Sequence, residues 1–299
     1  MAKIEVIINA GGGSFVADHT EQQLREAFEL SGLDVNLNFA HSGSEIESMA
    51  KKAAESEADI VVAGGGDGTI STVAAITAEA GKILGVIPLG TLNHFSKDLG
   101  IPQNIPGAIA VLTENNVKHV DAGEVNGRIF LNNSSIGLYP RIVRRRQVEQ
   151  ERLGKGKWSA AFSAALKVFL RRPFIIVKIR LRNRIFIRKT PFVFIGNNEY
   201  HMDLYNIGSR ERLDGGRLSL YFPHRGGRIG VLILLVKTVF GQLRQAKEFE
   251  TLSTQGVTLR TPKPRVITAL DGETVVMDSP LEYRIRPGYL RVLVPRGGS

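Results

Sequence analysis

The chain has no cysteine, so disulfides, thiolate metal sites and cysteine nucleophiles are all excluded. It also lacks a long apolar run: the longest, Ile229 to Val236, is interrupted by Lys237. About 18 apolar residues are needed to cross a bilayer, so this stretch reads as a buried or interfacial helix. The opening residues Met1 to Ile8 have a strand pattern rather than the charged start and apolar core of a signal peptide, and a cytoplasmic location is expected. No internal repeat, low-complexity segment or clear linker interrupts the chain. The tail Leu293 to Ser299 resembles a protease-recognition sequence and receives no functional weight.

Acidic residues are scarce in one region. Between Arg141 and Lys189, 16 Lys or Arg face only Glu149 and Glu151, a net of +14, whereas the whole chain carries +10. One segment therefore holds the entire basic character of the molecule. Within it, Val177 to Arg182 alternates strictly, which puts the cations on one face of a strand. Arg184 to Arg188 is expected to extend that basic face. Lys157 to Arg172 reads as a helix with Trp158, Phe162, Ala165, Leu166 and Phe169 on one stripe. Such a surface suits an anionic membrane better than nucleic acid, because no stacking aromatics are interleaved with the charges.

What is present in abundance is glycine, 32 residues of it. The apolar run Asp59 to Ala63 stops in Gly64-Gly65-Gly66-Asp67-Gly68-Thr69. A buried strand thus delivers an acid and a hydroxyl into nearly bare backbone, which allows close approach of N–H groups to phosphate oxygens at the start of a helix placed near Thr69. Lys82 to Ile87 leads similarly into Pro88-Leu89-Gly90-Thr91-Leu92-Asn93-His94, and Glu5 to Ile8 into Asn9-Ala10-Gly11-Gly12-Gly13. There is no Gly-Lys-Ser/Thr ending and no protein-kinase catalytic loop, so two common nucleotide sites are ruled out.

The pattern predicts two domains, α/β plus all-β. Strands near 3–8, 34–39, 60–63 and 83–87 alternate with helices near 18–30, 44–56 and 69–80, which argues for a three-layer α/β nucleotide-binding domain. Ser44-Glu45-Ile46-Glu47 marks one helix start. After about Val120, short β-like runs (among them 128–131, 174–181, 185–187, 191–195, 217–222, 251–259, 265–270 and 281–293) favour an antiparallel β-sandwich.

These motifs, with Leu270-Asp271-Gly272-Glu273, resemble the diacylglycerol kinase catalytic-domain family, specifically its soluble bacterial lipid kinases. The resemblance implies a phosphotransferase with an alcohol group as acceptor, using ATP and Mg2+ on a lipid hydroxyl. It implies an ATP-binding domain over 1–124, rejoined by about 286–299, and a lipid-substrate domain over 125–285. By similarity, nucleotide is bound by Asn9, Ala10, Gly11, Gly12, Gly13, His41, Gly65, Gly66, Asp67, Gly68, Thr69, Ile70, Ser71 and Thr91. Asn93 joins them from the neighbouring loop. Glu273 is the expected general base, with Asp271 the second choice, and Asp67 reaches the metal. On residues alone Asp271-Gly272 is simply a hairpin turn; the resemblance is what sets it opposite the glycine loop.

Two departures stand out. His94 occupies a position where the family has Asp, weakening an acid network through Asp67 and Asp121. Gly215 replaces the second acid of a structural magnesium site, leaving Asp214 to substitute from one residue away. The resemblance further implies peripheral contact of the 141–189 segment with an anionic membrane and leaves a homodimer open. Two other readings compete: an NAD kinase, which shares the Gly-Gly-Asp-Gly-Thr loop, and a catalytically impaired, basic membrane-binding protein.

Overall fold

The computed structural model describes residues 3–11, 17–138, 140, 174–182, 184–203, 206–210, 212–223 and 249–297. Gly12, Gly13, the helix expected over 157–172, the 229–236 stretch and all of the 141–173 part of the basic segment lie outside them. The chain divides into two compact units: residues 1–122, 212–214 and 287–299 form the first, and 123–211 with 215–286 the second.

Unit 1 is the α/β one. Its elements run β1 (Ile4–Asn9), α1 (Ala17–Ser31), β2 (Val35–Ala40), α2 (Gly43–Glu55), β3 (Ile60–Gly65), α3 (Asp67–Glu79), β4 (Ile83–Pro88), α4 (His94–Asp98) and α5 (Ile105–Glu114). The strands are parallel in the order β2-β1-β3-β4. β3 is buried along its whole length, as a strand covered on both faces must be, and this explains its unbroken Ile60-Val61-Val62-Ala63 run. On α2, Ile46, Ala50 and Ala53 recur at helical spacing and are the buried positions.

Two helix starts differ from expectation. α2 is capped by Ser42, whose hydroxyl accepts from the Glu45 amide, so Ser44 lies inside the helix. α3 begins at Asp67, because Gly66 is extended (φ −86°, ψ 179°) and serves as its cap; Asp67 consequently sits in the first turn.

Unit 2 is antiparallel. After β5 (Val117–Val125), which the chain follows out of unit 1, come β6 (Arg128–Phe130), β7 (Asn133–Gly137), β8 (Ile175–Leu181), β9 (Arg184–Thr190), β10 (Phe192–Asn197), β11 (His201–Asp203), β12 (Asn206–Ser209), β13 (Leu218–Pro223), β14 (Phe249–Thr254), β15 (Gly256–Arg260), β16 (Arg265–Leu270), β17 (Glu273–Asp278) and β18 (Leu281–Leu293). One sheet has the order β14-β13-β10-β7-β16-β17. The first residues of β18 pair with β15, which pairs with β8, and β8 with the edge strand β9. Ile136, Val193, Ile195 and Leu220 from the first sheet pack with Val177, Ile179, Leu259 and Tyr283 from the second in one core, which is the expected sandwich. The last residues of β18, Arg291 and Val292, run parallel to β4 in unit 1.

The expected single run 251–259 is two strands in different sheets. The chain switches sheets at Gln255, where the Thr254 hydroxyl bonds both the carbonyl and the amide of Gly256. The expectation for β9 is overturned by register. Lys178 pairs with Ile187 and Arg180 with Ile185, so the isoleucines share the outer face with those cations, while Arg184 and Arg188 share the other face with Leu181 and Val177.

Candidate phosphate-binding site and the Asp-Gly-Glu turn

In unit 1 the chain leaves β1 for β2 on one side and returns to β3 on the other, so the carboxyl ends of β1 and β3 flank a topological switch point. Open parallel sheets bind ligands in the crevice at such points. Asn9 ends β1 and Thr69 lies in the first turn of α3; the Asn9 Nδ2 donates to Thr69 Oγ1 at 2.8 Å, joining the two sides. Thr69 is buried and Asn9 half-buried. The α3 cap is a glycine without a side-chain hydrogen bond to the helix, so no side chain covers the first turn in place of an anion.

Glycine is required here by contact. A Cβ on Gly90 would lie 2.5 Å from the Gly66 Cα and 2.7 Å from Asn93 Oδ1, and one on Gly11 would lie 2.4 Å from the His41 carbonyl oxygen. The loops after β3 and β4 therefore touch backbone to backbone, as do those after β1 and β2. His41 itself is held by Glu45, which accepts the His41 amide at 2.9 Å and the Ser42 hydroxyl at 3.1 Å. The His41 amide bond, and then the Ser42 hydroxyl, lower the Glu45 carboxyl below the usual carboxylate range. A depressed carboxyl contributes stability in full above its unfolded pKa and loses it as pH falls through the folded one. Glu45→Gln is accordingly expected to flatten the acid side of the stability profile slightly, with only a small loss at neutral pH, as followed by urea unfolding.

Asn93 adopts the left-handed conformation (φ 51°, ψ 46°) and is buried. Its Nδ2 donates to the Gly90 carbonyl at 2.8 Å and to Gln103 at 3.2 Å, so it fastens the Gly90 loop. Thr91, next to it, is exposed. Asp67 Oδ1 accepts from the Phe95 amide at 3.2 Å, which ties the acid to the first turn of α4 right after His94. The sequence marks Glu45 only as part of a helix start and does not mark Gln103; their signals are the Ser-x-x-Glu spacing from Ser42 and an amide just beyond a glycine loop.

The structure thus brings Asn9, Ala10, Gly11, His41, Gly65 to Ser71, Gly90, Thr91 and Asn93 to one end of the unit 1 sheet. Asp121 is a fastener: its carboxylate accepts the Gly288 amide at 2.8 Å, and its own amide donates to the Leu213 carbonyl at 2.7 Å. Asp214 accepts from Arg212 Nε at 3.1 Å. Among the described residues no three His, Asp or Glu side chains cluster as a metal cage. One carboxylate at Asp67, in the first turn of a helix whose glycine cap makes no side-chain bond, still fits magnesium, which commonly takes its other ligands from substrate phosphates and water. The Asp214 carboxylate, already paired to an arginine, fits a structural magnesium poorly.

In unit 2, Asp271 and Gly272 connect β16 to β17 with φ of 47° and 90°, the two positive values that a type I′ hairpin demands. The Asp271 carboxylate accepts the amides of Leu131 (2.8 Å), Asn132 (2.8 Å) and Asn133 (2.9 Å). Both its oxygens are committed to holding backbone, whereas Glu273 is exposed two residues on. Asp271→Ala is expected to cost about 2–4 kcal/mol in urea unfolding, since three amides lose a charged acceptor. Asp271→Asn should recover part of that loss.

Residues 3–125 match the family described as diacylglycerol kinase catalytic domain. A diacylglycerol kinase from Bacillus subtilis is 33% identical over 135 residues, 44% of this chain and 45% of that protein. A Klebsiella pneumoniae protein named "Probable lipid kinase YegS-like" is 33% identical over 144 residues, 46% of each chain. The match therefore spans about half the length of these relatives. A crystal structure of a diacylglycerol kinase from Bacillus anthracis str. Sterne superposes with a TM-score of 0.70 at 18% identity, covering 100% of this chain and 98% of that one. A solved structure described as "A putative diacylglycerol kinase" from the same organism reaches 0.76 at 23% identity, over 99% and 98%. The likeness in fold thus extends through unit 2, beyond the matched stretch. Among the described residues no helix is long and apolar enough to cross a membrane.

Proposed function

We propose that the chain is an ATP-dependent lipid kinase that transfers the γ-phosphoryl group to a hydroxyl of a diacylglycerol-like or other long-chain lipid. Residues 1–124 with 286–299 bind the nucleotide, and residues 125–285 receive the lipid. The observation that supports this reading is the glycine-floored switch point of unit 1, pinned by the Asn9–Thr69 hydrogen bond, within the stretch that matches the family described as diacylglycerol kinase catalytic domain.

Phosphoryl transfer requires alignment and charge stabilisation more than covalent help. The backbone amides of Gly65 to Thr69, at the positive end of α3, receive the phosphates. Asp67 would hold Mg2+, which supplies charge neutralisation on the phosphate oxygens when bound. Asn93 keeps the Gly90 loop against Gly66, and Thr91 contacts the nucleotide from that loop. Glu273 takes the proton of the lipid hydroxyl as its oxygen bonds to the γ-phosphorus and ADP departs. Asp271 holds the turn that carries Glu273.

The test is incubation of the protein with γ-labelled ATP, magnesium, a membrane-lipid extract and NAD together. Label in solvent-extractable lipid is expected, and its loss when the metal is chelated. Label found only in NADP would replace this reading with the NAD kinase one.

A further inference from the structure

The segment that the Asp271 carboxylate grips is held from a second side as well. Leu131 and Asn132, both buried, join β6 to β7 and lie in neither strand, so their backbone groups need partners from elsewhere in unit 2. Arg210, itself only 4% exposed, supplies donors. Its Nη1 donates to the Leu131 carbonyl at 2.6 Å and to the Asn197 carbonyl at 3.2 Å, and its Nη2 donates to Asn132 Oδ1 at 2.7 Å. The guanidinium carbon lies 5.3 Å from the centre of the Tyr200 ring, a cation–π contact that helps to fix the fork. A cation is costly to desolvate, so the hold it provides has to outweigh that cost.

One peptide group joins this cation to the Asp271 carboxylate. The Leu131 carbonyl and the Asn132 amide belong to the same peptide plane; the first accepts from Arg210, and the second donates to Asp271 Oδ1 at 2.8 Å. In a trans peptide these two groups point in opposite directions, so the peptide dipole lies aligned between a positive and a negative charge. Each charge thereby strengthens the hydrogen bond made to the other. The Asp271 amide closes the arrangement by donating to the Asn133 carbonyl at 2.9 Å. Mere satisfaction of the Leu131 carbonyl does not need a cation, because Asn197 Nδ2 already donates to it at 2.8 Å. What the guanidinium adds is a charge-assisted, two-pronged hold on Leu131 and Asn132 together.

We propose that Arg210 is a positioning residue for Glu273, acting through the Leu131–Asn132 peptide and Asp271 to fix the turn that carries the base. The inference rests on the reading of Glu273 as the group that takes the lipid hydroxyl proton. Glu273 opens β17 two residues after Asp271, so a displacement of Asp271 is passed to it directly.

The test takes Arg210→Gln and Arg210→Lys, each alone and combined with Glu273→Gln, through the lipid-labelling assay, and each alone and combined with Asp271→Asn through urea unfolding. A base displaced by about 1 Å loses up to about a hundredfold in rate, so Arg210→Gln is expected to lower kcat about tenfold, with KM for ATP unchanged. Arg210→Lys keeps the charge but not the fork and should lower kcat about threefold. In the Glu273→Gln background neither change should lower kcat by more than about twofold, because the base being positioned is already gone. A merely structural role costs the same factor in both backgrounds. In unfolding, the midpoint shift of each double variant should be smaller than the sum of the single shifts, since either single change already leaves one charge without its counterpart. If Arg210→Gln does not fold, Arg210→Lys carries both comparisons. Equal fold losses in the two backgrounds, native kcat in the Arg210 variants, or additive midpoint shifts would overturn the inference and leave Glu273 as the base. Native turnover by Glu273→Gln alone would instead overturn the base assignment, and the inference with it.

Discussion

Glu273→Gln is expected to lower lipid phosphorylation by about 10²- to 10⁴-fold, the span associated with loss of a general base. The substitution keeps size and shape and removes only the capacity to take a proton. Glu273 is exposed at the first position of β17, opposite Leu270 in the hairpin register, so the fold has little reason to respond. The unfolding midpoint and the affinity for ATP should therefore stay at native values while kcat falls. The contrast with Asp271 is the informative part. Asp271 grips three backbone amides, and its removal should be read first in stability, whereas removal of the Glu273 carboxylate should be read in turnover alone.

Gly90→Ala is expected to have the second large effect, by a different route. The added methyl group would meet the Gly66 Cα at 2.5 Å and the Asn93 side-chain oxygen at 2.7 Å. Neither neighbour is the free end of a flexible side chain, so the loops after β3 and β4 must separate. Overpacking of this kind costs about 1–3 kcal/mol, and the displaced element is the glycine floor proposed to receive phosphate. A fall in ATP affinity of about tenfold or more is expected by calorimetric titration, along with a lower unfolding midpoint. Gly43→Ala is the matched control: nothing lies within 4 Å of its Cβ position, and it opens α2, where alanine is well tolerated. Equal ATP affinity in the Gly90 and Gly43 variants would separate the Gly90 loop from nucleotide binding.

How much of this was legible in the sequence follows from what each residue depends on. The parallel strands of unit 1 are readable because each is an apolar run that ends in glycine or a polar turn, and β3 needs no partner to be recognised. β7 is not readable: Asn133-Ser134-Ser135-Ile136-Gly137 has little strand character, and it is held by neighbours on both sides and by the Ser134–Tyr283 hydroxyl contact at 2.9 Å. The switch of sheets at Gln255 is likewise set by distant pairing. For β9, Arg-Ile-Phe-Ile-Arg alternates in a way that permits either face to be the basic one, and only the register with β8 decides.

The site divides along the same line. Gly65 to Thr69, Asn9 and Gly90 announce themselves because close backbone approach restricts residue type. The grip of Asp271 on residues 131–133 is a contact across about 140 positions, with no local trace. Asn93 reads as a ligand in the sequence; its Nδ2 is spent on Gly90 and Gln103, while its buried Oδ1 has no hydrogen-bond partner among the described residues, and Thr91 beside it is exposed.

The central claim is tested most directly by one measurement: transfer of label from γ-labelled ATP into extracted membrane lipid by the native chain, Asp67→Ala and Glu273→Gln side by side. Labelled lipid is expected from the native protein, with both variants reduced at least a hundredfold, about 2.7 kcal/mol in the barrier. Undiminished labelling by both variants, or no labelled lipid from the native chain, would contradict the account.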